Sequence, residues 1–217
     1  SILSNYSIHY AADIPENTIS ADYFGEVHKQ LKEKLNASPN FVGIVSNGTS
    51  GDINTTDFRL ERNYPKEPYG KSKLIAHDIS DAIIENLKNM KFESKPVFTY
   101  NNNIVPTKTR KPSAELVARS KKTDSELDFS SLKSIDKASD NMAKMFALEI
   151  IELDAYQKDE IPLPIQAIRL GEGAIGTLPG EIFAETGLKL KKNAPIKNYF
   201  TICLANFGDG YIPPASQ

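Results

Sequence analysis

Residues 174–181 read Ala-Ile-Gly-Thr-Leu-Pro-Gly-Glu and run directly into a helix-forming segment, 182–190. The first five residues are apolar or small, as in a buried strand, and the Pro-Gly pair then forces a turn that presents Glu181 in a fixed direction. In layered α/β proteins, active sites are often built from the loops at such strand ends. A carboxylate at a helix start is also a common cap. The stretch therefore predicts a strand–turn–helix unit in which Glu181 is either a cap or part of a site.

Strand and helix patterns alternate along the rest of the chain, which predicts an α/β class with a layered mixed sheet flanked by helices. The strand-like segments are 1–9, 41–46, 96–109, 164–170, 174–178 and 199–204. The helix-like segments are 20–36, 71–90, one after Pro112, 141–155 and 182–192. Residues 121–137 are charged and weakly patterned, as in a mobile surface segment. Because the chain opens on a core-like strand without an initiator Met, we expect residues 1–217 to be one incomplete domain.

Composition limits the functional classes. The 217 residues carry a net charge of −2, so no basic field recruits nucleic acid. The single cysteine, Cys203, lies in an apolar strand pattern and is predicted to be a buried, inert thiol. No apolar run is long enough to cross a membrane.

Three further polar candidates each follow a predicted strand. His9 could be a metal ligand, a general base or a half-buried histidine bonded to the backbone. The loop 46–54 could be a phosphate cradle, an oxyanion and substrate loop, or a surface connection; it lacks the P-loop Lys and the Gly-x-Ser-x-Gly pattern, and its residues alone favour a surface connection. A tyrosine in the position of Tyr211 is usually a packing residue, but its oxygen can bind a metal ion when the cation helps it lose its proton. If these strand ends share one sheet edge, the candidates form one pocket with Glu181.

Five motifs in order carry a family resemblance. They are residues 5–9 (NYSIH) with 19–22 (ISAD), 47–53 (NGTSGDI), 164–170 (PIQAIRL), 175–181 (IGTLPGE), and Ala205-Asn206 through Tyr211. In order and approximate spacing they resemble the neutral ceramidase family (neutral/alkaline, non-lysosomal), in its N-terminal catalytic domain. The resemblance implies that residues 1–217 are the C-terminal portion of a ceramidase-like catalytic domain, inactive when alone.

The resemblance also implies a metal site. In that family a zinc ion held by two His, one Glu and one Tyr activates a water that cleaves the amide of N-acyl-sphingosine. Carried over, His9, Glu181 and Tyr211 correspond to three of the zinc ligands, and the other histidine is expected upstream of this chain. A mixed His/Glu/Tyr set suits Zn²⁺ better than Mg²⁺ or Ca²⁺.

The chain departs from the family pattern at one catalytic position. Where the family's Gly-Asp-Val-Ser-Pro-Asn loop has serine, this chain has Asn54, which can donate a hydrogen bond to an oxyanion but cannot act as an alkoxide nucleophile. Asn54 and Asp52 are therefore the candidate catalytic residues beside a metal-activated water. Asp22 or Asp52 is a candidate to orient a ligating histidine.

The function expected from the resemblance is hydrolysis of a lipid or small-molecule amide. Peripheral membrane contact would give access to such a substrate, and family members commonly act outside the cytoplasm, so export is expected. The alternative is a non-catalytic protein that binds a lipid or glycan on the same scaffold, which the replacement of the serine by Asn54 favours.

Overall fold

The computed structural model describes residues 1–59, 63–126, 138–206, 208 and 210–216. Its helices are α1 (Asp22–Lys34), α2 (Gly70–Leu87), α3 (Ala114–Glu126), α4 (Ala138–Ala155) and α5 (Ala184–Asn193). Its strands are β1 (Ile2–Tyr6), β2 (Gly43–Asn47), β3 (Phe98–Lys108), β4 (Glu160–Leu170), β5 (Gly173–Thr177), β6 (Glu181–Ile182), β7 (Asn198–Ile202) and β8 (Tyr211–Ile212). Mixed sheets flanked by helices confirm the predicted α/β class.

The chain divides into two compact units, Ser1–Ile104 with Leu163–Gln217, and Val105–Pro162. The prediction of one incomplete domain over residues 1–217 stays a prediction. None of the helices in the described ranges is long and apolar enough to cross a membrane.

The first unit contains β1, β2 and β5 to β8, together with the larger part of β3 and of β4. β1 and β2 run parallel, and the four-stranded sheet has the order β3-β4-β5-β7. In that sheet β4 is antiparallel to β5, and β5 is parallel to β7. The turn between β4 and β5 contains Gly171 at φ 58°, a left-handed conformation that glycine adopts without steric cost.

Helix packing forms the core of the first unit. Tyr23, Val27 and Leu31 recur every four residues on α1, are fully buried, and pack against Ala76 and Ile79 of α2. Ile8 and Val45, near the ends of β1 and β2, pack against the same cluster. The cluster thus holds the first strand pair against two helices.

The second unit contains α3 and α4, which pack against each other. Val117 of α3 and Ala147 of α4 are buried. The predicted mobile segment 121–137 is helical over 121–126, and its remainder, 127–137, lies outside the described residues.

Two predicted boundaries near the candidate residues were wrong. The first strand ends at Tyr6 rather than residue 9, since its parallel partner β2 ends at Asn47. The helix expected from residue 182 begins at Ala184, because Glu181 and Ile182 form a short strand that pairs with β8. A two-residue strand has no periodicity, so the sequence pattern merged it into the helix.

Candidate active site at the strand ends

The four candidate segments follow strands whose carboxyl ends meet. β1 and β2 end side by side because they are parallel, and so do β5 and β7. Two hydrogen bonds join the pairs: the Cys203 amide donates to the Asn47 carbonyl (2.9 Å), and the Asn5 side chain donates to the Thr201 carbonyl (2.9 Å). The structure therefore brings the segments that carry His9, Glu181 and Tyr211 to one edge.

His9 and Glu181 are in direct contact. His9 Nε2 lies 3.2 Å from Glu181 Oε2, and both side chains are half-buried. The other ring nitrogen, Nδ1, lies 2.9 Å from the Ile53 carbonyl oxygen. Because a carbonyl only accepts, Nδ1 carries the hydrogen, and a neutral His9 ring turns its Nε2 lone pair toward the carboxylate. Two acceptors then face each other, and a metal ion, or a proton shared between Nε2 and Oε2, would join them.

Tyr211 stands beside Glu181 on the neighbouring strand. The two residues are register partners in the parallel pair β6–β8. The Tyr211 ring meets Phe183 edge-on, with centroids 6.4 Å apart. Gly180, at φ 68°, makes this pairing possible, because a Cβ there would lie 2.9 Å from the Gly210 carbonyl oxygen. Close main-chain approach thus pairs the backbones of Glu181 and Tyr211.

The loop after β2 is buried where it follows the strand, which corrects the preference for a surface connection. Thr49 and Ser50 are 6% and 5% exposed. The Gly51 amide donates to the Ile182 carbonyl (2.9 Å), and Thr49 fills the space above Gly187 of α5. Small residues in this loop therefore serve close packing against the segment that carries Glu181.

Asp52, not Glu181, caps the helix that follows. Its Oδ1 accepts a hydrogen bond from the Ala184 amide (2.7 Å) at the first turn of α5. The carboxylate of Glu181 instead contacts His9, so the interpretation of Glu181 as a helix cap was wrong. The cap could not be found from local sequence, because Asp52 and Ala184 are 132 residues apart.

A cavity of about 500 Å³ lies at this edge and is lined by His9, Asp52, Asn54 and Tyr211, among others. Glu181 does not line the cavity, but it contacts His9, which does. The Asn54 Oδ1 accepts a hydrogen bond from the Thr56 amide (2.8 Å), which leaves its NH₂ group as the donor that can serve a ligand. The cavity thus joins three predicted residues and the candidate oxyanion donor.

Neither carboxylate considered for orienting a histidine contacts the His9 ring. The Ile53 carbonyl fills that position, as backbone carbonyls do for many ligating histidines. Asp22 binds instead to the main chain just after His9, through the amides of Ala11 and Ala12. The Tyr23 hydroxyl donates a hydrogen bond to the Ile8 carbonyl. The sequence did not indicate this role, because a tyrosine on an apolar helix face predicts only packing.

Cys203 lies close to this edge but is buried, at 5% exposed, as predicted. Burial raises the pKa of its thiol to about 11, so it is a protonated, unreactive group at neutral pH.

Among the residues the structure describes, no group of three or more His, Cys, Asp or Glu side chains could hold a metal ion. The candidate set of His9, Glu181 and Tyr211 has only two residues of these types, because its third member is a tyrosine.

No protein-family model and no curated protein sequence matches the chain. Solved structures do match it in fold. The chain is similar to neutral ceramidase from Pseudomonas aeruginosa, with a TM-score of 0.64 and 14% identity over 97% of this chain and 38% of that one. It is also similar to a ceramidase complexed with C2, with a TM-score of 0.58 and 13% identity over 97% of this chain and 39% of the other. The predicted resemblance is confirmed at the level of the fold, and the chain spans about two fifths of the length of these proteins.

Proposed function

We propose that the protein is a zinc-dependent amidohydrolase that cleaves the N-acyl amide of a ceramide-like lipid. His9, Glu181 and Tyr211 are the proposed zinc ligands, and the remaining histidine ligand is expected upstream of this chain. The proposal is supported by the likeness in fold to two ceramidase structures, by the contact of His9 with Glu181, and by the register pairing of Tyr211 with Glu181. A piece of similar fold does not by itself carry the activity, so the function is argued from the site.

The contact between His9 Nε2 and Glu181 Oε2 carries the proposal. In a tetrahedral zinc site, metal–ligand distances of about 2.0–2.2 Å put two neighbouring ligand atoms roughly 3.3–3.6 Å apart. The observed separation is 3.2 Å. The Ile53 carbonyl also fixes the tautomer that a zinc ligand needs, with the hydrogen on Nδ1. A proton on Nε2 would make the same contact an ion pair, and measurement of zinc distinguishes the two.

Each remaining residue has a role that follows from its contacts. When bound, zinc supplies a Lewis acid that polarises the amide carbonyl and makes water a nucleophile near neutral pH. The Asn54 NH₂ group donates to the carbonyl oxygen as negative charge develops on it. Asp52 caps α5 and so fixes the loop that carries Asn54.

The test uses the full-length protein, with zinc content measured by elemental analysis and fatty-acid release measured on an N-acyl-sphingosine. We expect about one zinc per chain and hydrolysis in the wild type, and loss of both in Glu181→Ala. The matched control is Glu185→Ala, which removes a carboxylate on α5 that pairs with Lys189. Hydrolysis and zinc content that are unchanged in Glu181→Ala would refute the proposal.

The alternative function is lipid or glycan binding without catalysis. It is supported if the protein binds the lipid, releases no fatty acid and binds equally well in Glu181→Ala.

We further propose that the protein acts outside the cytoplasm and meets its substrate by peripheral contact with a membrane. Cell fractionation and sedimentation with ceramide-containing vesicles test these two points.

A further inference from the structure

The main chain on both sides of His9 is held by two consecutive residues at the start of α1. Before His9, the Tyr23 hydroxyl donates to the Ile8 carbonyl (3.2 Å). After His9, the Asp22 carboxylate accepts from the amides of Ala11 (3.1 Å) and Ala12 (2.9 Å). Neither side chain touches the imidazole ring. They act on the segment that carries it.

Both side chains are buried, so their contacts are costly to lose. Asp22 is 8% exposed and Tyr23 is fully buried. A buried carboxylate is tolerated only when it is hydrogen-bonded, and Asp22 also accepts from the Tyr23 amide (2.5 Å), with Ser72 Oγ 3.2 Å from its Oδ1. Burial, followed by the nearby Asp22 charge, raises the pKa of the Tyr23 phenol, so its hydroxyl keeps its proton and remains a donor.

The same connection contains strained backbone. Ala12 has φ 56° and Asp22 has φ 50°, both in the left-handed region that glycine favours. Each such conformation costs on the order of 1–2 kcal/mol for a residue with a Cβ. The hydrogen bond from the Ala12 amide to Asp22 Oδ2 joins these two residues directly. Strain of this kind persists where the surroundings over-determine the conformation, and it concentrates at functional sites.

We propose that Asp22 and Tyr23 are positioning residues that hold His9 toward Glu181 by clamping residues 8–12. The inference rests on the proposed function, because it concerns the geometry of a proposed zinc ligand. The Ile53 carbonyl fixes the rotation of the ring. The clamp fixes the main chain from which the ring extends.

Zinc affinity and thermal stability, measured together on the full-length protein, test the clamp. Asp22→Asn keeps the side-chain volume but turns one acceptor oxygen into a donor that faces an amide N–H. The matched control is Asp13→Asn: Asp13 accepts from the amides of Lys71 (2.6 Å) and Ser72 (3.1 Å) at the start of α2, and from the same Ser72 hydroxyl. Both variants should lower Tm. Only Asp22→Asn should weaken zinc binding, by about 10–100-fold, as loss of outer supports of metal ligands does.

Tyr23→Phe provides a second variant that retains the packed ring and removes only the hydroxyl. It should weaken zinc binding several-fold with a small loss of Tm. If Asp22→Asn does not fold, Tyr23→Phe alone tests the clamp. Wild-type zinc affinity in Tyr23→Phe and in folded Asp22→Asn would overturn the clamp. An equal loss of affinity in Asp13→Asn would also overturn it, since the effect would then follow stability alone. If the wild type binds no zinc, the proposed function fails first and the clamp fails with it.

Discussion

The Cα of Gly51 packs so closely against the main chain of Glu181 that a Cβ at Gly51 would lie 2.5 Å from the Glu181 carbonyl oxygen. The loop after β2 and the strand β6 are therefore fitted to each other at backbone level. The Gly51 amide also donates to the Ile182 carbonyl, so two main-chain contacts fix this fit.

Gly51→Ala should displace β6 and weaken both stability and zinc binding. A backbone carbonyl cannot move aside as a side-chain end can, so we expect a loss of about 1–3 kcal/mol in the free energy of unfolding. Denaturant unfolding and zinc titration measure the two effects. Gly208→Ala is the control, because a Cβ there meets nothing within 4 Å. Equal behaviour of the two variants would contradict the close fit.

Tyr211→Phe should lower zinc affinity by at least about tenfold, because the variant loses the proposed oxygen ligand while its ring can still pack against Phe183. Little change in Tm is expected. Tyr10→Phe removes a hydroxyl from another residue lining the same cavity and should leave the affinity unchanged. Competition with a chromophoric chelator gives both values. A purely structural Tyr211 would instead change Tm and not affinity.

Asn54→Asp should reduce kcat by about 10²–10³-fold with little effect on KM, as expected for the loss of an oxyanion donor. The aspartate keeps the acceptor for the Thr56 amide and loses the NH₂ group. Asn89→Asp, on the exposed segment after α2, introduces the same charge and should retain full activity. Steady-state kinetics on an N-acyl-sphingosine provide the measurement, and an unchanged kcat would exclude Asn54 from catalysis.

Cys203 should resist thiol reagents at pH 8 until the protein unfolds, because burial raises its pKa to about 11. The buried thiol favours the folded state fully below the unfolded pKa, near 9, and this contribution is lost as the pH rises toward 11. Stability should therefore fall between pH 9 and 11 more in the wild type than in Cys203→Ala. Labelling kinetics with a disulfide reagent check the first point, and fast native labelling would contradict burial.

The sequence predicted the longer elements because their periodicity is strong. The helix-like segment 20–36 matches α1, whose buried face carries Tyr23, Val27 and Leu31. The strand-like segments 164–170 and 174–178 also overlap the paired strands β4 and β5. The two-residue strands β6 and β8 could not be predicted, because pairing partners such as Glu181 and Tyr211 are far apart in the chain and leave no local pattern.

By itself, the sequence determined the α/β class and placed His9, Glu181 and Tyr211 after strand-like segments, since hydrophobic periodicity and turn residues are local properties. Only the tertiary structure decided that His9 contacts Glu181, that Ile53 holds the ring, and that Asp52 caps α5. Hydrogen-bond partners between distant segments depend on how the strand ends meet, and no pattern of neighbouring residues encodes that meeting.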